Sequence, residues 1–188
     1  HIRSEFLKAI KSTKERLIII SPWMTEEAVD KELISSFRDI VQKGGTVFLG
    51  WGINKQENSE KNPPSAELLK ALQKIKTLEG LPGVFVVWLG NKHNKEIIID
   101  DRIHLAGSFN WLSYRGDYSP RGEQVYMVTE PQIVAEAAYT IEELFATQLD
   151  MTFNKLAEDD MKAPYLFGLS RILAMQEFDD YVNKLKID

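Results

Sequence analysis

The sequence predicts an α/β fold, an α/β/α layered sandwich with a mixed β-sheet. Three observations lead there. Short aliphatic runs alternate with segments of helical periodicity as far as Leu89. Two later strand candidates, His93 to Ile99 and Ile103 to Phe109, stand so close together that only an antiparallel hairpin can join them. From Pro131 onward the chain reads helical. Alternating strands and helices make a sheet covered on both faces, and the hairpin makes that sheet mixed. The 188 residues fit a main domain over 1–150 and a helical extension over 151–188.

Taken in order, Ile2, Phe6 and Ile10 recur at helical spacing, and Leu17 to Ile20 is a buried strand ending at Ser21-Pro22. Thr25 is placed to cap a second helix, with Glu26 and Glu27 in its first turn and Val29, Leu33, Phe37, Ile40 and Val41 facing the core. Gly44-Gly45 ends it, and Thr46 to Trp51 is the next strand. From Gly52 to Ser65 the composition turns to Asn, Lys, Glu, Ser and Pro, as in an exposed, mobile loop. Pro63-Pro64-Ser65 opens a third helix carrying Leu68, Leu72 and Ile75, and Gly80-Leu81-Pro82-Gly83 leads into a strand from Val84 to Leu89. After the hairpin, Val125 to Val128 is a further strand. Ile133, Ala137, Ile141 and Leu144 then form a helical stripe, and Phe153 to Lys186 reads as helix interrupted near Pro164 and Gly168. There is no internal repeat.

Composition narrows the function. The apolar and charged fractions, 44% and 27%, are those of a folded globular chain. No apolar run approaches the roughly 20 residues that cross a bilayer. Without cysteine there is no disulfide scaffold, thiolate metal site or cysteine nucleophile, and a reducing, cytoplasmic setting is expected. A net charge of −5 means that a polyanion must be held by a local basic site and not by bulk attraction. The chain starts at His1 with no methionine and no signal pattern, and reads as a processed chain or as part of a longer protein with further domains.

The chemistry concentrates in His93-Asn94-Lys95, Asp100 and Gly107-Ser108-Phe109-Asn110. Alternate residues of a strand share a face, so His93 and Lys95 point one way, as do Ser108 and Asn110. A two-residue turn at Asp101-Arg102 sets Lys95 opposite Ser108 and His93 opposite Asn110. An imidazole, an ammonium, a hydroxyl and an amide then converge on one face. That set suits a phosphodiester: lysine, serine and asparagine hold the non-bridging oxygens while histidine attacks or shuttles a proton. Asp100 falls on the opposite parity and reads as structural.

At these residues the chain resembles the phospholipase D superfamily, whose signature is His-x-Lys, four residues, Asp, then Gly-Ser-x-Asn. His93, Lys95, Asp100, Gly107, Ser108 and Asn110 fill every position, and Glu123 stands where single-motif members often carry a glutamate. The resemblance implies a cofactor-free, metal-independent mechanism through a phosphohistidine, with His93 attacking phosphorus and a second histidine protonating the leaving oxygen. Lys95 and Asn110 would hold the phosphate and Glu123 would orient the imidazole. Asp100 and Gly107 would be structural.

The reaction needs two such histidines and the chain has one motif, so the resemblance implies a homodimer like the single-motif bacterial nucleases, or a partner motif elsewhere in a longer protein. Nucleic acid, DNA before RNA, is the expected partner. A phospholipid-directed hydrolase or transferase and a non-catalytic nucleic-acid-binding or dimerisation module stay open. Trp111, Trp23, Arg115 and Arg121 are weaker candidates for substrate contact, from their places next to strand ends or in the loop from Tyr114 to Arg121. His104 is expected to serve packing or the surface, and no spacing gives three metal ligands on one face.

Overall fold

The aliphatic runs form strands and the periodic segments form helices. The computed structural model describes residues 2–52, 63–116, 122–156 and 159–185. In chain order the elements are α1 (Ile2–Lys11), β1 (Arg16–Ile20), α2 (Lys31–Gln42), β2 (Thr46–Trp51), α3 (Ala66–Gln73), β3 (Val84–Trp88), β4 (Glu96–Ile99), β5 (Ile103–Gly107), β6 (Val125–Val128), α4 (Pro131–Lys155) and α5 (Asp159–Lys184). Among the described residues the strands make one sheet in the order β3-β2-β1-β4-β5-β6. The pairs β1–β2 and β2–β3 are parallel, while β1–β4, β4–β5 and β5–β6 are antiparallel. The sheet is therefore mixed.

Strands β1 and β2 are buried along their whole length because both faces are covered, which is why they read as unbroken apolar runs. Leu17, Ile19, Val47, Leu49, Ile97 and Ile99 pack with Phe6, Leu33, Phe37, Leu68 and Leu72 of α1 to α3. Ile18, Ile20, Phe48, Phe85 and Ile98 pack with Ala138, Ile141, Phe145 and Leu149 of α4 and Ile172 of α5. Each fully buried aliphatic side chain contributes about 1.5–3 kcal/mol. Alternate strand residues thus serve two separate cores.

Several local expectations are corrected. Helix α2 is capped by Asp30, not Thr25: the Leu33 N–H donates to Asp30 Oδ1 at 3.0 Å, while Thr25 Oγ1 accepts from Ala28 N–H at 3.3 Å in the turn before it. The hairpin strands are shorter than read, and Ile99 pairs with Ile103, which leaves a three-residue turn, Asp100 to Arg102. Asp100 adopts φ +53°, and its carboxylate accepts the N–H groups of Lys14, Glu15 and Arg16. Those bonds fix the residue in a conformation that a two-residue turn would not require. The extra residue shifts the register by one, and Lys95 lies opposite Gly107, whose N–H reaches the Lys95 carbonyl at 3.3 Å.

The inner face of α4 carries Val134, Ala138, Ile141, Phe145 and Leu149, whereas Ile133 is 51% exposed. The helix is turned from the expected stripe because α5 and the sheet cover adjoining sides of it. Helix α4 runs through residue 150 without a break, and α5 continues through Pro164. Gly168 marks close packing and no interruption: a Cβ there would sit 2.8 Å from the Phe85 ring. Most of the loop expected from Gly52 to Ser65 lies outside the described residues, as does Arg121.

Beneath α4 and α5, the Arg16 guanidinium is buried between Glu142 and Asp179. One cation faces two carboxyl groups there. Burial and the neighbouring Asp179 push the Glu142 carboxyl up to about 9, against the pull of Arg16, so it holds a proton at neutral pH. The Asp179 carboxylate takes Arg16 as its charge partner, with Nη2 donating to Oδ1 at 3.0 Å. This pins the last helix to the central strand.

Candidate active site

The chain steps outward from β1 through β2 to β3, then returns to lay β4 on the other side of β1. Strand order reverses there, and an α/β sheet opens its crevice at the carboxyl ends of strands at such a point. Because β4 is antiparallel to β1, Glu96 pairs with Ile20 and the residues before Glu96 stand at that edge. Gly107 pairs with Val125 and sets Ser108 and Glu123 at the same end of the neighbouring strands. The pairing needs a glycine: a Cβ at residue 107 would lie 2.0 Å from the Gln124 carbonyl oxygen.

His93 is exposed and Lys95 is buried beneath it. Lys95 Nζ lies 3.0 Å from His93 Nδ1 and 3.3 Å from Nε2, and donates to the His93 carbonyl at 3.0 Å. Burial pulls the lysine down from its ordinary value, and the charge of Glu123 opposes that. Ser108 donates its hydroxyl proton to Glu123 Oε2 and accepts the Gln124 N–H at 3.0 Å. Imidazole, ammonium, carboxylate and hydroxyl thus stand together at one edge of the sheet.

The route to this convergence differs from the expected one. Lys95 and Ser108 are not a cross-strand pair; Glu123, brought in by β6, connects them through its hydrogen bond to Ser108 and its charge on Lys95. Among the described residues Glu123 takes its hydrogen bond from Ser108 and has none to His93. Asn110 ends β5's extension: its carbonyl accepts the N–H groups of Ser113 and Tyr114, and its side-chain Oδ1 is buried with no hydrogen-bond partner among the described residues. A buried amide oxygen so placed costs free energy unless something meets it. Asp100 stands at the far end of the hairpin, where burial raises its carboxyl but backbone donors and Arg102 outweigh that and hold it low.

The weaker candidates divide. Trp23 stands beside the site, with its ring centroid 6.1 Å from that of His93 and the planes at 88°. Trp111 is a correction: it is 1% exposed and packs on Phe6 and Phe109, so it belongs to the core and lines no cleft. Arg115 donates to Asp30 at 2.9 Å, in an ion pair at the cap of α2 shared with Arg3. His104 binds Glu96 at 2.8 Å and lowers that carboxyl, with Asn94 donating to its other oxygen. Ser21 is a residue that motif spacing does not point to. Fully buried at the end of β1, its Oγ accepts the Leu112 N–H, while the Leu112 carbonyl takes the Thr25 N–H at 2.8 Å. Its place just past a buried strand was the available signal.

Among the described residues no three metal-ligating side chains come together, and no helix is long and apolar enough to cross a membrane. A search of curated proteins finds no match. Among solved structures, NucT from Helicobacter pylori is 17% identical with a TM-score of 0.54, over 75% of this chain and 85% of that one. Nuc from Salmonella typhimurium, described as a phospholipase D family member, is 17% identical with a TM-score of 0.53, over 78% and 87%. Phosphatidylserine synthase from Haemophilus influenzae is 15% identical with a TM-score of 0.53, over 94% of this chain and 41% of that one. These likenesses establish a shared fold. The family model described as cardiolipin synthase, PLD-like domain, matches residues 6–147, from α1 into α4 and across the whole His93 to Glu123 site. A match over that much of the chain makes it a member of the phospholipase D superfamily, a family of phosphodiester chemistry.

Proposed function

We propose that the protein is a metal-independent phosphodiesterase that cleaves nucleic acid through a phosphohistidine, with its reaction centre completed by a second copy of the chain. The observation that carries this reading is the exposed His93 imidazole with the Lys95 ammonium 3.0 Å from its ring, at the carboxyl edge of the sheet beside Ser108 and Glu123. A nucleophile stands beside a cation that can hold a non-bridging oxygen.

In the first step a ring nitrogen of His93 forms a bond to phosphorus as the bond to the leaving oxygen breaks. The leaving oxygen takes its proton from the partner subunit's His93. In the second step that same imidazole removes a proton from water. The water oxygen bonds to phosphorus, and the phosphorus–nitrogen bond breaks to return His93. Lys95 and the Asn110 amide hold the non-bridging oxygens throughout, and Glu123 positions Lys95 and Ser108. Expected along with this are a cytoplasmic location and a main catalytic domain over 1–150, with the helices beyond it as a supporting extension.

A phospholipid substrate is the second reading, favoured by the likeness to a phosphatidylserine synthase over 94% of the chain. Chelator-treated protein and its His93→Ala variant, assayed on oligonucleotides and on phospholipid vesicles, decide between them. Chelator-resistant oligonucleotide cleavage that falls at least about a thousandfold in the variant supports the proposal. Cleavage abolished by chelator and unaffected by the substitution contradicts it, and turnover confined to vesicles favours the lipid reading.

A further inference from the structure

An open cavity of about 580 Å³ begins at Trp23, the residue in ring contact with His93. Its size is that of a small-molecule site, about 300–1,000 Å³. The lining is of two kinds. Trp23, Met24 and Pro63 are apolar or aromatic, while Thr25 and Ser65 offer hydroxyls and Glu26 a carboxylate. Neither lysine nor arginine lines it among the described residues. Such a wall repels phosphate oxygens and accepts N–H donors. Glu26 is also held in place: Ser65 donates its hydroxyl to Glu26 Oε1, and Ser65 Oγ in turn caps α3 by accepting the Leu68 N–H at 3.1 Å.

An aromatic ring, apolar walls and an anchored acceptor beside a phosphate site match the chemistry of a nucleobase next to its own phosphate. We propose that this cavity receives an unpaired base flanking the scissile phosphate, so that the enzyme takes single-stranded nucleic acid and distinguishes bases that carry an exocyclic amine from thymine. The inference deepens the nucleic-acid reading and rests on it for the position of the phosphate. A base held in a duplex reaches such a pocket only by leaving its stack and its partner, which costs free energy that a single strand does not spend. Cytosine, adenine and guanine each present an amino group to the Glu26 carboxylate; thymine has none, and its single N3–H lies between two carbonyl oxygens that the carboxylate repels.

The test is binding without cutting. Intact His93→Gln protein is titrated with fluorescein-labelled oligo(dC), oligo(dT) and a duplex of equal length, and anisotropy gives Kd. Single strands are expected to bind at least roughly tenfold more tightly than the duplex. Trp23→Ala on this background is expected to raise the single-strand Kd roughly 5- to 100-fold, and Trp23→Phe, which keeps a stacking ring, to recover most of it. Glu26→Gln should abolish the preference for oligo(dC) over oligo(dT). Equal affinity for duplex and single strand, or a single-strand Kd unmoved by Trp23→Ala, overturns the proposal, as does binding confined to phosphatidylethanolamine vesicles. The reaction is read separately with the parent protein, His93 intact, on bis(p-nitrophenyl) phosphate, a diester with no base. Protein that binds in the expected pattern but leaves this diester uncut keeps the pocket and loses the nuclease.

Discussion

Lys95 is charged in a place that resists charge. Burial lowers its affinity for a proton, Glu123 raises it, and burial is the larger effect. Because loss of that proton would remove the proposed phosphate ligand, activity is expected to fall on the alkaline side at a pH below that of an ordinary lysine. Glu123→Gln removes the opposing charge, so the alkaline limb of kcat/KM should move further down in pH while kcat drops. An unmoved limb would show that another group sets it. Gly107→Ala adds a methyl group 2.0 Å from the Gln124 carbonyl. The resulting crowding should cost about 1–3 kcal/mol, read as a lower Tm, and should disturb Ser108 and Glu123 with it. At this scale the clustering of His93, Lys95 and Ser108 was legible from their types and spacing, and the structure brings them together with Glu123. Trp111 was not legible, since a tryptophan after a strand end looks the same in sequence whether it faces a cleft or a core.

The strands were legible as elements, because β1 and β2 are buried on both faces and so appear as runs of aliphatic residues. Their register was not. It turns on Asp100 taking a left-handed conformation to accept three N–H groups from residues 14–16, a contact made across the sheet and invisible in local sequence. The same holds for α5, whose anchor is Asp179 on Arg16. Glu142 is raised from 4.5 to about 9 in the fold, so the protein binds its proton more tightly folded than unfolded. Its contribution is complete below pH 4.5 and is lost as pH rises through about 9. Glu142→Gln, which resembles the protonated acid, should flatten that loss, so urea melts at pH 5 and pH 8 differ less in the variant than in the parent. Arg16→Ala leaves the Asp179 charge buried without its partner and should cost about 3–5 kcal/mol.

At the scale of the whole molecule, two helical layers enclose the central strands, and among the described residues nothing pairs with the outer edge of β6. Tyr126 and Met127, which point to opposite faces of the sheet, are 66% and 65% exposed. An uncovered edge strand is a surface that pairs or is protected. It adjoins Glu123, where the proposed second copy would have to approach. Met127→Lys is therefore expected to weaken self-association, read as a smaller native mass at equal concentration. The layered architecture was legible from the order of elements alone. The proposed twin rests, at the level of sequence, on a lack: one histidine motif where the proposed chemistry asks for two. Co-expression of wild-type and His93→Ala chains at varied ratios tests that claim most directly. If each reaction centre takes one histidine from either copy, cleavage falls with the square of the wild-type fraction; a fall in simple proportion to that fraction would contradict the account.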